Sequence, residues 1–393
     1  MRIALITETY PPEINGVAMT LEHLVDGLAQ RGHTVEVIRP RQNADDRARA
    51  EGTIEHVPVA GVPLPRYEGL RMGLPARRTL LRLWRAKRPD VIHVATEGPL
   101  GLSAMRAATK LAIPITSSFH TNFHQYSSHY GFGFARGLAI RYLRFVHAYA
   151  TSTLVPSIDV KESLEAAGFK NVYILARGVN TERFNPGRRD AALRESWGAG
   201  PDDLVVIYVG RIAQEKNIPL TVRAFEALRR VRPEAKLVLV GDGPVRASLE
   251  KQHPDYIFAG MKRGDELASH YASGDAFIFG STTETFGNVV TEAMGCGLAV
   301  LAYDYAAPRQ FIHAGENGVT VPLGDEQAFI AAACELAADR EKLQQMRAAA
   351  ARSLAAHSWS HIIARYESLL LDIAHNGRVT REHNHLSPEP AEA

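Results

Sequence analysis

Two glutamates, Glu284 and Glu292, stand either side of Gly287 in the stretch GSTTETFGNVVTEAMGCGLAV (280–300). AFIFGS reads as the end of a strand and FGNVVTEAMGCG as a helix. The polar run STTET therefore lies where a strand gives way to a helix start. Amide groups there lack intrahelical partners and carry about half a positive charge in effect, so they attract an anion such as phosphate. Gly287 lets a ligand come close to the backbone. Glu284, just before the helix, can accept hydrogen bonds from ligand hydroxyls, and Glu292, further in, from a second set. Two carboxylates with amides between them suit a ligand that carries both phosphates and hydroxyls. Alone, the same pair would suit a helix-capping charge and a solvated side chain, so the surrounding sequence has to decide.

Three further clusters bear on that choice. In YVGRIAQEKN (208–217) Arg211 directly follows a strand and Lys216 comes five residues later. Together they can neutralise a diphosphate, the arginine by a two-pronged contact and the lysine as a point charge. In PPEINGVA (11–18), between the first strand and the first helix, Gly16 can bring its amide onto a phosphate. In SSFHTNFHQY (117–126) His120 stands at a strand end, where a neutral imidazole can donate to a sugar hydroxyl or the residue can offer its carbonyl. His124 and His129 follow, but no carboxylate or cysteine pattern supports a metal site. GDGPVRASLE (241–250) reads as a structural turn. The dinucleotide fingerprint G-x-G-x-x-G is missing after the first strand, and in the nearest miss, GFGFAR, Arg136 takes the third glycine's place.

The elements that must hold these residues alternate. Strands are expected at 3–7, 34–38, 90–95, 114–119, 152–156 and 172–176. A second series is expected at 204–210, 236–241, 256–260, 276–280 and 298–303. Helical patterns lie between them, the first over about Met19 to Gln30. Such alternation means parallel sheets covered on both faces, with ligands beyond the carboxyl ends of the strands. Two runs of it in 393 residues mean two domains. The Arg-, Asn- and Pro-rich segment 176–190 reads as a hinge. The last periodic helix is HSWSHIIARYESLLLDIA (357–374), and the polar remainder reads as disordered.

Composition is that of a soluble globular chain, 46% apolar and 22% charged with net charge +2. No apolar run reaches the ~18 residues of a membrane span, and the amino terminus lacks the marks of a signal peptide. The two cysteines, Cys296 and Cys334, fit neither a disulfide framework nor a zinc site, and a cytoplasmic location is expected. Residues 1–178 carry more Lys and Arg than Asp and Glu, and the remainder reverses that balance, so the first half is expected to meet an anionic partner. Two basic amphipathic stretches, 66–88 and 134–150, suit an anionic membrane surface, and equally suit ordinary helices with solvated arginines.

Taken together, PPEINGVA, SFHT, GVNTERFNP, VGRIAQEKN, LVGDGP and the E-x7-E stretch resemble the retaining nucleotide-sugar glycosyltransferases of family 4. The resemblance implies an α/β fold of two facing Rossmann-like doubly wound domains (GT-B) with an interdomain cleft. Residues 1–178 would hold the acceptor and 179–357 the nucleotide-sugar donor. The helix at 358–374 would pack back on the first domain, and 375–393 would form the tail. It implies that Arg211 and Lys216 bind the donor pyrophosphate and that Glu284 contacts the donor sugar, helped by amides at Thr285, Phe286, Gly287 and Asn288. Glu292 would bind the ribose, Gly16 would approach the phosphates and His120 the sugar, while Met261 and Lys262 would lie near the base. No metal or other cofactor is implied, the nucleotide sugar being a co-substrate. The resemblance is nearest to enzymes that glycosylate membrane lipids, with GDP-mannose or a UDP-hexose as donor, peripheral attachment to the inner face of the plasma membrane, and no nucleic acid. The alternatives are an epimerase or hydrolase of the same architecture, a transferase with a soluble oligosaccharide acceptor, a catalytically silent binding protein, and an NAD-dependent oxidoreductase, which the missing fingerprint disfavours.

Overall fold

A computed structural model describes residues 1–13, 15–64, 71–120 and 133–377. His124, His129 and parts of GFGFAR, of the 66–88 stretch and of the tail lie outside the described residues. The chain divides into two compact units, residues 1–177 with 359–377, and residues 178–358.

The strands of the first unit are β1 (Arg2–Ile6), β2 (Thr34–Pro40), β3 (Arg49–Glu51), β4 (Ile54–Val59), β5 (Gly61–Pro63), β6 (Arg71–Gly73), β7 (Val91–Val94), β8 (Ile115–Ser118), β9 (Ser152–Val155) and β10 (Val172–Ile174). Eight of them form one sheet in the order β10-β9-β8-β7-β1-β2-β4-β3. All its pairings are parallel except β3 with β4. Helices cover both faces, so the central strands β1 and β7 are apolar and buried almost throughout. One face buries Leu21, Leu24, Leu28 and Tyr366. The other buries Leu80, Trp84, Leu100 and Met105.

The helix Gly16–Gln30 begins three residues before the periodicity places it. The side chain of Asn15 accepts from the amides of Val17 and Ala18, which fixes the earlier start. Gly16 is therefore the first residue of a helix and not a loop glycine. This helix also packs on the helix Trp359–Asn376. A Cβ on Gly27 would stand 2.2 Å from Ile363 Cδ1, so only glycine allows that approach. Glu367 ties the same pair together by accepting from Arg31 at 2.5 Å and contacting His33 Nε2 at 2.6 Å.

The second unit holds β11 (Val205–Val209), β12 (Lys236–Val240), β13 (Ile257–Gly260), β14 (Ala276–Phe279), β15 (Ala299–Tyr303) and β16 (Gly318–Val321), all parallel, in the order β13-β12-β11-β14-β15-β16. Both sheets are Rossmann-like. In each, the chain runs outward from a first strand and then returns to that strand's other side. The return falls between β1 and β7 in the first unit and between β11 and β14 in the second. Crevices at such reversal points, beyond the carboxyl ends of the strands, are where open α/β sheets take ligands. The alternation reading marks β1, β2, β7 to β10 and β11 to β15. It does not mark β3, β5 and β6, which are three residues each, or β4 and β16, which are only partly buried and carry no continuous apolar run.

Candidate functional site

In the second unit the residues that leave β11 and β14 meet at the reversal point. A short 3-10 turn, Gln214–Lys216, follows β11 and is closed by Asn217 at φ 52°. It carries Lys216 inward, and Lys216 Nζ donates to Glu284 Oε1 at 2.5 Å. Ser281 Oγ donates to the same carboxylate oxygen at 2.8 Å. The Glu284 amide donates to the Tyr305 hydroxyl at 2.9 Å, and that hydroxyl donates to the Ser281 carbonyl at 3.0 Å. The loop 281–284 is thus held at both ends, with a carboxylate and an ammonium side by side.

Gly287, at φ 94°, turns this loop into the helix Asn288–Gly295. A side chain at that φ is strained, and glycine brings none that could cap the helix's first amides. Glu284 does not cap the helix either, since its carboxylate faces Lys216. Phe286 is buried against Phe311, and Thr285 and Asn288 flank the turn. Glu292, within the helix, is not a solvated residue. Its Oε2 accepts from the buried Tyr271 hydroxyl at 3.0 Å. Burial pushes its carboxyl up to about 7, against the lowering effect of the Tyr271 hydrogen bond.

Arg211 is near but outside this cluster. Its side chain is 64% exposed and donates to Glu215 Oε1 at 2.9 Å. That contact uses Nη1 alone, and the other guanidinium donors remain to be offered to a ligand. Met261 is 61% exposed just past β13, and Lys262 bonds Glu266.

In the first unit Gly16 opens its helix with Arg177 over it, a Cβ there standing 3.1 Å from Arg177 Nη1. His120, just past β8, lines a small cavity of about 20 Å³ with His93, Ser118, Arg177 and Trp359. Burial first, then Arg177 and His93, push the His120 imidazole down to about 3, so it is neutral. Sequence reasoning passed over Glu8, at the reversal point of this unit. The Leu100 amide donates to its Oε1 at 3.4 Å, and burial raises its carboxyl to about 7. A Cβ on Gly98 would stand 1.9 Å from Glu8 Oε1, so a glycine makes room for the carboxylate. A lone acid after a strand leaves no pattern. Nor do Ser281, Tyr305 and Tyr271, which reach the site only through the fold.

Two doubly wound Rossmann-like units, with a Lys–Glu pair and a glycine-started helix at the reversal point of one, make up an α/β architecture with a polar crevice in the second unit. The profile for Glycosyltransferase Family 4 matches residues 14–183, and that for Glycosyl transferases group 1 matches residues 203–339. A GDP-mannose-dependent alpha-mannosyltransferase of Mycobacterium tuberculosis (strain CDC 1551 / Oshkosh) is 35% identical over 94% of this chain and 97% of its own. The alpha-monoglucosyldiacylglycerol synthase of Acholeplasma laidlawii is 28% identical over 81% of this chain and 84% of its own. The sucrose-phosphate synthase structure from Thermosynechococcus elongatus superposes with TM-score 0.74 at 20% identity, covering 95% of this chain and 98% of that one. The chain belongs to glycosyltransferase family 4. These relatives are sugar-transferring enzymes, and the epimerase and hydrolase readings are not favoured.

Proposed function

We propose that this protein is a hexosyltransferase that moves a sugar from a nucleoside-diphosphate sugar to a hydroxyl of a membrane glycolipid precursor such as diacylglycerol, with retention and without a metal. GDP-mannose is the first donor to test, because the 35%-identical relative is named for it. The observation that carries the reading is the Lys216–Glu284 pair, anchored by Ser281 and Tyr305 where β11 and β14 diverge.

The chemistry follows from charge. Departure of a nucleoside diphosphate leaves developing negative charge, which Lys216, Arg211 and the amides around Thr285, Phe286, Gly287 and Asn288 would stabilise. Glu284 would accept hydrogen bonds from hydroxyls of the donor sugar, and Glu292 from those of the ribose. Met261 and Lys262 would border the base. Gly16 would approach the phosphates and His120 the sugar. The acceptor hydroxyl would attack on the face that the diphosphate leaves, with a phosphate oxygen taking its proton.

A lipid acceptor is supported by the relative named for diacylglycerol and by the basic character of the first unit. Among the described residues no helix is long and apolar enough to cross a membrane. The helix Gly133–His147 instead exposes Leu138, Tyr142 and Phe145. Beside them a cavity of about 630 Å³ is lined by Arg141, Arg144, Phe145 and Lys170. Apolar side chains next to cations suit the surface of an anionic membrane.

The test is a thermal-shift panel of GDP-, UDP- and ADP-sugars, since a ligand that binds only the folded state raises stability by mass action. It is followed by transfer to diacylglycerol in vesicles. A shift with one nucleotide series and a labelled glycolipid product support the reading. No shift with any of them, or release of free sugar alone, sinks it.

A further inference from the structure

Four polar side chains run in a line from the interior of the first unit to His120. Thr116 Oγ1 donates to the Ile92 carbonyl at 3.2 Å. His93 Nδ1 lies 2.9 Å from Thr116 Oγ1, His93 Nε2 lies 3.1 Å from Ser118 Oγ, and Ser118 Oγ lies 2.8 Å from His120 Nε2. His93 on β7 faces Thr116 on β8, and Ser118 is two residues along the same strand, so the sheet itself sets the spacing.

Placing one hydrogen gives the chain a direction. With the Thr116 hydroxyl hydrogen on the Ile92 carbonyl, the Thr116 oxygen is left to accept from His93 Nδ1. His93 therefore carries its hydrogen on Nδ1 and leaves Nε2 bare. Ser118 donates to that bare nitrogen and must accept from His120. His120 then carries its hydrogen on Nε2, and Nδ1 is left as an acceptor. Both imidazoles are neutral, because burial pushes each down to about 3. His120 Nδ1 is buried and has no hydrogen-bond partner among the described residues. Arg177, which lines the same cavity, has donors only.

We infer that His93 and Ser118 are positioning residues, which hold His120 as the Nε2–H tautomer so that its Nδ1 accepts a hydrogen bond from a ligand hydroxyl. A hydroxyl suits the place because it donates to the imidazole while accepting from a guanidinium. A carboxylate, sulfonate or phosphate oxygen there would meet the lone pair of Nδ1 and be repelled. The site thus selects a neutral hydroxyl-bearing sugar at this position. That the hydroxyl belongs to a donor sugar rests on the transferase reading above. The direction of the chain does not.

The tautomer can be read directly from 15N-histidine-labelled protein, with the His120 resonances identified by their loss in His120→Gln. The expected spectrum shows hydrogen on Nε2 and a bare Nδ1 at neutral pH. Hydrogen on Nδ1, or on both nitrogens, overturns the inference. In Ser118→Ala the His120 signal is expected to divide between the two tautomers. The dissociation constant for GDP-mannose is expected to rise by up to about tenfold, the scale of one neutral hydrogen bond. Ser118→Thr keeps the hydroxyl and is expected to restore both. An unchanged tautomer in Ser118→Ala also overturns the inference. If wild-type protein fails to bind GDP-mannose, that donor fails, while the spectrum still decides the relay.

Discussion

Glu292 is a half-buried acid in a helix whose start faces the proposed donor, and replacing it with glutamine gives the sharpest test of the second unit. Its carboxyl stands at about 7 in the folded chain against an ordinary 4.5, with burial as the main cause. The sign follows from linkage. Below pH 4.5 the group is protonated in both folded and unfolded states and costs nothing. Between 4.5 and 7 the unfolded chain ionises while the folded chain still holds the proton, so stability falls as pH rises. Above 7 both are ionised and the loss is complete. About 2.5 units at 1.36 kcal/mol each make the loss about 3 kcal/mol. Glu292→Gln keeps an acceptor for the Tyr271 hydroxyl but removes the ionisation. Chemical denaturation from pH 4 to pH 8 is therefore expected to show the variant gaining up to about 3 kcal/mol over the wild type as pH rises, with little difference at pH 4. At pH 8 the variant should nevertheless bind the nucleotide sugar more weakly, because a carboxylate accepts from hydroxyls more strongly than an amide. A stability difference that stays flat across the pH range would refute the burial argument. Unchanged donor affinity would remove Glu292 from the site.

Other outcomes are expected at separate points of the fold. Lys216→Ala and Glu284→Ala should each lower turnover at least ~100-fold, the scale of one electrostatic contact made in the transition state, and near-normal rates in both would reject the site. Gly287→Ala should cost about 1–2 kcal/mol in thermal unfolding, because φ 94° is strained for a residue with a Cβ. Gly27→Leu should destabilise the first unit by about 1–3 kcal/mol through overpacking against Ile363, and an unchanged melting profile would contradict that packing. Charge reversal at Arg141, Arg144 and Lys170 should weaken sedimentation with phosphatidylglycerol vesicles but leave nucleotide binding intact. Equal sedimentation of variant and wild type would dismiss this surface as the membrane contact.

Much of the fold was legible because parallel strands buried on both faces read as short apolar runs. β1, β7, β11, β12, β14 and β15 are such runs. β3 to β6 and β16 are short or half exposed and left too weak a trace. The helix from Gly16 was placed too late because Asn15 caps it before its apolar period begins. Arg211, Lys216, Glu284, Gly287 and Glu292 in the second unit, and His120 in the first, could be singled out as candidates because each stands near a strand end or helix start that the sequence marks. Their partners could not. Ser281 and Tyr305 hold Glu284, Tyr271 meets Glu292, and His93 reaches His120 through Ser118. These are ordinary residue types, distant in the chain from the residues they serve, or spaced without a period.

The sequence by itself determined the alternation of strands and helices, the two-unit division and the charged residues at the strand ends, because local propensity and burial leave a periodic trace in residue order. Only the tertiary structure decided which of those charges meet. Strand order brings β14 beside β11, and that alone places Lys216 against Glu284 across 68 residues of chain. The protonation of Glu292 and the tautomer of His120 were decided there too, because desolvation and hydrogen-bond direction depend on what surrounds a side chain in space and not on its neighbours in sequence.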